Sequence, residues 1–324
     1  MPVRATITIA LLLAAVPVAS AAPSRVVGTG TPGSCTSAAV VRAVAAGGLV
    51  RFDCGPAPVT IVMRRTAKVR NTNPLLVLDG GGRVTLSGGG KRRILYQNTC
   101  DPRQTWTTSH CQDQATPRLV IRNLGFTAGN STGERTEGGG GGAIFVRGGR
   151  LQISGSTFTG NRCDRTGPDL GGAAVRVFDQ YRDLPVRVTG STFTGGRCAN
   201  GGALSSIGVS WDIRDSTFRG NRATGRGANP SRSGTPGGGS GGAIYLDGNR
   251  FTLSLRNTVI EDNLAPEGGG AIFFVSNDRT GTATIDGSTL RRNPSLGFET
   301  PGFPGIFFLG ARPPALTGGT TITR

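Results

Sequence analysis

Histidine occurs once in these 324 residues, at position 110, and lysine twice, at 68 and 91. No Cys-x-x-Cys is present, so the six cysteines lack the spacing of a zinc ribbon or of a redox motif. Aromatic residues are scarce, with two Trp and three Tyr, which argues against a surface built mainly for sugar stacking. Beyond the first two dozen residues no apolar run is long enough to cross a bilayer. Helical periodicity is also missing from almost the whole chain, which excludes bundles and doubly wound α/β folds.

What is abundant is glycine, 54 residues without a collagen period, and arginine, which supplies 34 of the 36 basic side chains. Glycine is costly within helices and suits short strands joined by tight turns. The net charge of +17 favours anionic partners. At the N-terminus, Arg4, the apolar stretch 6–18 and Ala19-Ser20-Ala21 read as a signal peptide cleaved after Ala21. The mature chain is then secreted, extracellular or periplasmic, with no transmembrane segment. In that oxidising setting three disulfides are expected.

The organising feature is a repeat. Gly-Gly-Ala recurs with its Ala at 143, 173, 203, 243 and 271, at spacings of 30, 30, 40 and 28 residues. Between these marks falls a second motif: Ser156-Thr-Phe158-x-x-Asn161, Ser191-Thr-Phe193-x-x-Gly196 and Ser216-Thr-Phe218-x-x-Asn221. Weaker copies end at Asn263 and Asn293. Each unit holds short strand-like runs and cannot bury its apolar side alone, so units must stack. Phe158, Phe193, Phe218, Ile260 and Leu290 then form one internal row, and the Asn residues a corner ladder. The expected fold is an all-β, single-stranded right-handed parallel β-helix, spanning 25–312 with its clearest repeats over 138–293.

A short N-terminal capping helix is expected within 34–48, starting at Thr36 or Ser37 and stopping at Gly47-Gly48. Residues 313–324 read as a loose tail. Cys163 and Cys198 both fall five residues after a motif Phe in adjacent coils, which predicts a rung-to-rung bridge. Cys35–Cys54 and Cys100–Cys111 are the local pairs left.

The alternation of Gly-Gly-Ala-Ile/Leu with Phe-x-x-Asn over 138–293 resembles the repeats of chlamydial polymorphic outer-membrane proteins and the wider pectate-lyase-like β-helix superfamily. The resemblance implies either a cell-envelope surface protein or an enzyme on extracellular polysaccharide. The chain departs from both groups. It has no C-terminal autotransporter barrel, no paired-Asp and His signature of β-helix polygalacturonases, and no calcium-plus-Arg set of pectate lyases.

Four features exceed what a scaffold needs. Arg162, Arg197 and Arg222 each lie four residues after a motif Phe, so stacking makes them an arginine stripe. Such like charges either splay into water or meet an anionic polymer, whose carboxylates Arg binds bidentately. The loop 100–111 concentrates Arg103, Trp106 and His110, with His110 a candidate general base. Asp169 and Glu267 each lie four residues before a Gly-Gly-Ala alanine, with Glu134, Glu137, Asp164 and Glu261 nearby; near Arg176 they would form an acidic rim. Paired carboxylates are what glycoside hydrolysis requires, and a cluster of them is what holds Ca²⁺. The coil count puts Asp169 and Glu267 roughly 14 Å apart, too far for a hydrolytic pair. Finally, insertions at 178–183 and 224–240 widen two coils. Phe145, Tyr245 and Phe273 share one parity on the Gly-Gly-Ala strand and face outward, in a row that Val175 and Ser205 interrupt.

These residues lead to an exported monomer that engages an anionic polysaccharide or cell-surface glycan, with no nucleic acid expected and no cofactor or metal site assigned beyond the Ca²⁺ option. Lyase or glycosidase activity is left open. The alternative is a non-enzymatic adhesin or cell-envelope protein.

Overall fold

The structure is a computed structural model that describes residues 22–134 and 139–324. The stretch 1–21, expected to be a signal peptide, and Glu137 lie outside the described residues. The chain is all-β, and every ladder between its named strands is parallel, each strand pairing with its equivalent in the next coil. This is the stacked-sheet arrangement of a β-helix or solenoid.

Three rows of strands run the length of the stack. The first begins with Ser24–Val27 and Gly48–Phe52 and ends with Ala315–Thr317. Its inward residues form one column, Val50, Leu78, Ile121, Ile153, Val188, Ile213, Leu255 and Ile285, each opposite the next and each buried. β-branched and leucine side chains dominate because each coil presents an identical narrow slot to its neighbours, and parallel strands about 4.8 Å apart bring like residues into contact.

The second row carries the Phe motif. Phe158, Phe193 and Phe218 stack with ring centroids 4.7 Å apart and planes nearly parallel. Phe126 extends the column at 5.0 Å. It belongs to a Phe126-x-x-Gly129 segment that lacks the Ser-Thr prefix, as Phe193-x-x-Gly196 lacks the Asn. The Asn ladder runs beside the column: Asn221 Nδ2 donates to Asn263 Oδ1 and Asn263 Nδ2 to Asn293 Oδ1, both at 2.9 Å. Where glycine replaces Asn, its backbone N–H donates to the next coil's amide oxygen, as Gly129 does to Asn161 and Gly196 to Asn221. These side chains satisfy corner backbone groups that would otherwise be buried without partners.

The third row holds the Gly-Gly-Ala strands: Ile144–Arg147, Val175–Phe178, Leu204–Ile207, Ile244–Gly248, Ile272–Ser276 and Ile306–Leu309. Its register departs from the repeat alignment at one coil. Ile144 pairs with Val175, not Ala174, and Val175 with Leu204. Ala173 and Ala174 absorb the extra residue. Because strand side chains alternate, a one-residue slip exchanges the faces. Arg176, not Val175, therefore joins the outward row of Tyr96, Phe145, Ser205, Tyr245, Phe273 and Phe307.

The helix α1, Ser37–Ala46, is capped by Thr36, whose side chain accepts from the Ala39 N–H, and stops at Gly47 with φ 68°. Its buried Val40, Ala43 and Val44 lie at helical spacing and join the core. It packs against strands 24–27 and 67–68. The cysteines pair as Cys35–Cys54, Cys100–Cys111 and Cys163–Cys198, the last joining adjacent coils with Cα atoms 4.8 Å apart. The expected loose tail is not loose: Ala315–Thr317 and Thr321–Thr323 add a last rung to the first two rows, pairing with Thr284–Asp286 and Thr289–Arg291. Leu316 and Ile322 continue the apolar columns, which the Pro/Gly-rich context obscures. No helix among the described residues is long and apolar enough to cross a membrane.

Candidate functional site

The outward row of the third sheet is mostly covered. Phe145, Arg176, Ser205 and Tyr245 are each fully buried although their side chains leave the sheet on its outer side. Arg176 meets the Asp169 carbonyl and the Phe178 ring, and the Tyr245 hydroxyl meets Asn229 of the 224–240 insertion. The expected open platform of Phe145, Tyr245 and Phe273 is thus not formed. Arg93 lies 5.0 Å over the Phe145 ring and donates to the Gly140 and Gly141 carbonyls, closing that position.

One stretch of this face stays open as a cleft of about 470 Å³, lined by Asp169, Arg176, Asn229, Asp247, Phe273 and Asn277 among others. Asp169 stands at its rim in a left-handed turn, φ 56°. Asp247 comes from the strand two coils further on and lies two residues after Tyr245, so both side chains leave the same side of the sheet. The Tyr245 hydroxyl donates to Asp247 Oδ2 at 3.0 Å. Asn229 arrives from the insertion. Its amide nitrogen bonds Asp169 Oδ1, lies 3.1 Å from the Tyr245 hydroxyl and reaches Asp247 Oδ2 at 3.5 Å. A single amide therefore ties both carboxylates together.

Arg176 forms the floor. It donates to the Ser205 hydroxyl and to the Asp169 backbone carbonyl, with its guanidinium 4.4 Å over the Phe178 ring. Its Nε has no hydrogen-bond partner. Full burial lowers the Arg176 pKa to about 10, an effect opposed by Tyr245, Asp169 and Asp247. Desolvation raises the Asp169 pKa, and the negative charge of Asp247 adds to it; Arg176 and Asn229 act against the rise. Burial also pushes Tyr245 well above the ordinary phenol value, with Asp247 reinforcing the shift. Two carboxylates in different surroundings beside a buried cation are the ingredients of acid–base chemistry.

The insertion is held by Glu267, which accepts from the Gly227 N–H at 2.7 Å and from Arg232 Nη2 at 2.8 Å. Glu267 is buried at that anchor, so it supports the cleft without lining it. The expected acidic rim dissolves in the same way. Asp164 accepts from Gly133 N–H, and Glu261 is buried among Arg219, Arg291 and Arg292. Among the described residues no group of three or more His, Cys, Asp or Glu is placed to hold a metal ion.

The remaining candidates separate. Arg162, Arg197 and Arg222 do align in register and are exposed, with Arg162 donating to the Gly90 carbonyl at 2.7 Å. They do not line the cleft. His110 is exposed at the turn before Cys111–Asp113 and Trp106 is 46% exposed; neither lines the cleft. Arg103 is held by buried Asp101 at 2.8 Å and borders a different cavity. Sequence reasoning reached Asp169, Arg176 and Tyr245 but missed Asn229 and Asp247. The signal for Asp247 was its parity with Tyr245; Asn229 carried none, since its place depends on how the insertion folds back.

Comparison with protein-family models, with curated proteins and with solved structures returns no match.

Proposed function

We propose that this is an exported, right-handed β-helix protein of pectate-lyase-like type that engages an anionic polysaccharide and hydrolyses it in the Asp169–Asp247 cleft. Right-handedness follows the strong general preference of parallel β crossovers. Export is supported by the N-terminal signal pattern and by three cysteine pairs, which are stable in an oxidising compartment. The observation that carries the enzymatic reading is the Asn229 amide that joins Asp169 to Asp247 above the buried Arg176. A scaffold has no need to gather a loop carboxylate and a strand carboxylate two coils apart around one cation.

In this reading Asp169, whose raised pKa favours the protonated form, donates its proton to the glycosidic oxygen as the bond to the anomeric carbon breaks. Asp247 takes the opposite role, as nucleophile or as base toward water. Tyr245 and Asn229 position Asp247, and Arg176 offsets the negative charge left when both carboxylates are ionised.

Incubation of the protein with uronate polymers, with and without Ca²⁺, tests it. New reducing ends without unsaturated sugars support hydrolysis. Unsaturated ends would replace it with a lyase reaction. Binding without new ends of either kind would favour the non-enzymatic adhesin, the reading suggested by the aligned, exposed Arg162, Arg197 and Arg222.

A further inference from the structure

A second cavity, of about 600 Å³, opens on the same outer face nearer the N-terminal end. Its wall presents five cations, Arg65, Lys68, Arg70, Arg93 and Arg103, against one carboxylate, Glu134. Two adjacent coils and the loop that leaves the second bring the cations together. Arg65, Lys68 and Arg70 stand on and beside the strand Ala67–Lys68, Arg93 precedes Leu95–Asn98, and Arg103 comes from the Cys100–Cys111 loop. Arg93 is buried, anchored on the Gly140 and Gly141 carbonyls with Glu134 3.9 Å away. Arg103 is fixed by Asp101, which also accepts from Gln104 at 3.0 Å. Arg65 and Arg70 have no side-chain hydrogen bond or ion pair among the described residues, and Lys68 faces the Tyr96 ring at 5.6 Å. Crowding cations in a concave wall is unfavourable unless an anion enters, and such a wall concentrates the field on one.

We propose that this cavity is an anion subsite that takes the carboxylate or sulfate ester of an acidic sugar residue. Guanidinium groups match either oxyanion bidentately. Lys68 and Tyr96 lie in the same outward row as Arg176 and Tyr245, two to five coils away. That is roughly 10–24 Å along the stack, so one oligosaccharide spans the subsite and the cleft. The polymer part of this inference rests on the glycan reading above; the capture of an acidic group by the cavity does not.

The test is calorimetric titration of the full chain with an oligogalacturonate, in the parent, in Arg65→Ala/Lys68→Ala/Arg70→Ala, in Arg103→Ala, and in Arg162→Ala/Arg197→Ala/Arg222→Ala. The first triple variant is expected to weaken binding at least about tenfold, equivalent to about 1.4 kcal/mol, and Arg103→Ala to weaken it less. The stripe variant, which removes the same charge elsewhere, is expected to stay near the parent. Sulfate and galacturonate are expected to displace the ligand, and neutral galactose is not. Equal losses in both triple variants, or displacement by galactose as effective as by galacturonate, would overturn the subsite. Binding that survives in Asp169→Asn/Asp247→Asn while turnover disappears separates this subsite from the catalytic reading, and absence of turnover in every protein leaves the binding result standing.

Discussion

Asp169 and Asp247 belong to coils two rungs apart, yet one side-chain amide, that of Asn229, holds both. Burial and then the negative charge of Asp247 raise the Asp169 pKa, and the shared amide sets what each substitution should do.

Replacing either carboxylate by its amide keeps the size of the side chain and removes its acid–base function. Asp169→Asn and Asp247→Asn should each lower kcat on a uronate polymer about 10²- to 10⁴-fold, the usual contribution of a positioned proton-transfer group. Circular dichroism should remain that of the parent. Undiminished turnover in both variants would remove the cleft from consideration.

Asp169 also predicts a pH dependence. Its folded-state pKa is raised, so the native state holds this proton more tightly than the unfolded chain does. Turnover that needs the protonated acid should fall as pH rises through that value. Stability follows the same sign: the ionised carboxylate is a liability above the raised pKa and neutral below it. Asp169→Asn should therefore melt at or above the parent temperature at alkaline pH, with the gap closing as pH falls. A gap that widens toward acid would contradict the raised pKa.

Asp101 behaves oppositely. Burial alone would raise it, but hydrogen bonds from Arg103 and Gln104 outweigh burial and hold it down to about 2. Its stabilisation is present above the unfolded value near 4 and lost as pH falls toward 2, a contribution of about 2 kcal/mol. Asp101→Asn should cost about that much at neutral pH, read by denaturant unfolding, and almost nothing near pH 2. The same variant should release Arg103 and weaken oligouronate binding.

The interior columns predict larger losses. Phe193 stacks between Phe158 and Phe218, and Phe193→Ala should cost about 3–5 kcal/mol because neighbouring rings cannot close on the gap. Asn263→Ala leaves the Phe218 carbonyl and the Asn221 N–H without their partner and should cost about 1–3 kcal/mol. Denaturation midpoints that place Asn263→Ala below Phe193→Ala in stability would reverse this ranking.

Glu267 gives a test that separates support from chemistry. Glu267→Ala frees the Gly227 N–H and Arg232, loosening the insertion that delivers Asn229. Turnover should drop while oligouronate binding at the basic cavity stays near that of the parent. Loss of both in equal measure would mean that the insertion supports the whole face.

Much of this was readable from residue order. A repeating coil places equivalent positions in contact, so the recurrence of Phe158, Phe193 and Phe218 specifies an internal stack, and the matched offsets of Cys163 and Cys198 specify a bridge. The alignment failed at one place with large effect. The Gly-Gly-Ala mark repeats at Ala173, but the backbone spends one extra residue at Ala173–Ala174, and the slip exchanges Val175 and Arg176 between faces. No local pattern announces such a slip. It is decided by the apolar slot inside the coil, which accepts valine and rejects a guanidinium.

By itself, then, the sequence determined the stacked parallel coils, the helix at Ser37–Ala46, the disulfide pairs and the alignment of Arg162, Arg197 and Arg222, because each depends on offsets within a repeated unit. Tertiary structure alone decided that Phe145 and Tyr245 are covered, that Glu267 anchors while Asp247 lines the cleft, and that Arg65, Lys68, Arg70, Arg93 and Arg103 share one cavity. Those outcomes depend on how irregular loops fold back across the sheet, and irregular segments have no periodic neighbour to declare their partners.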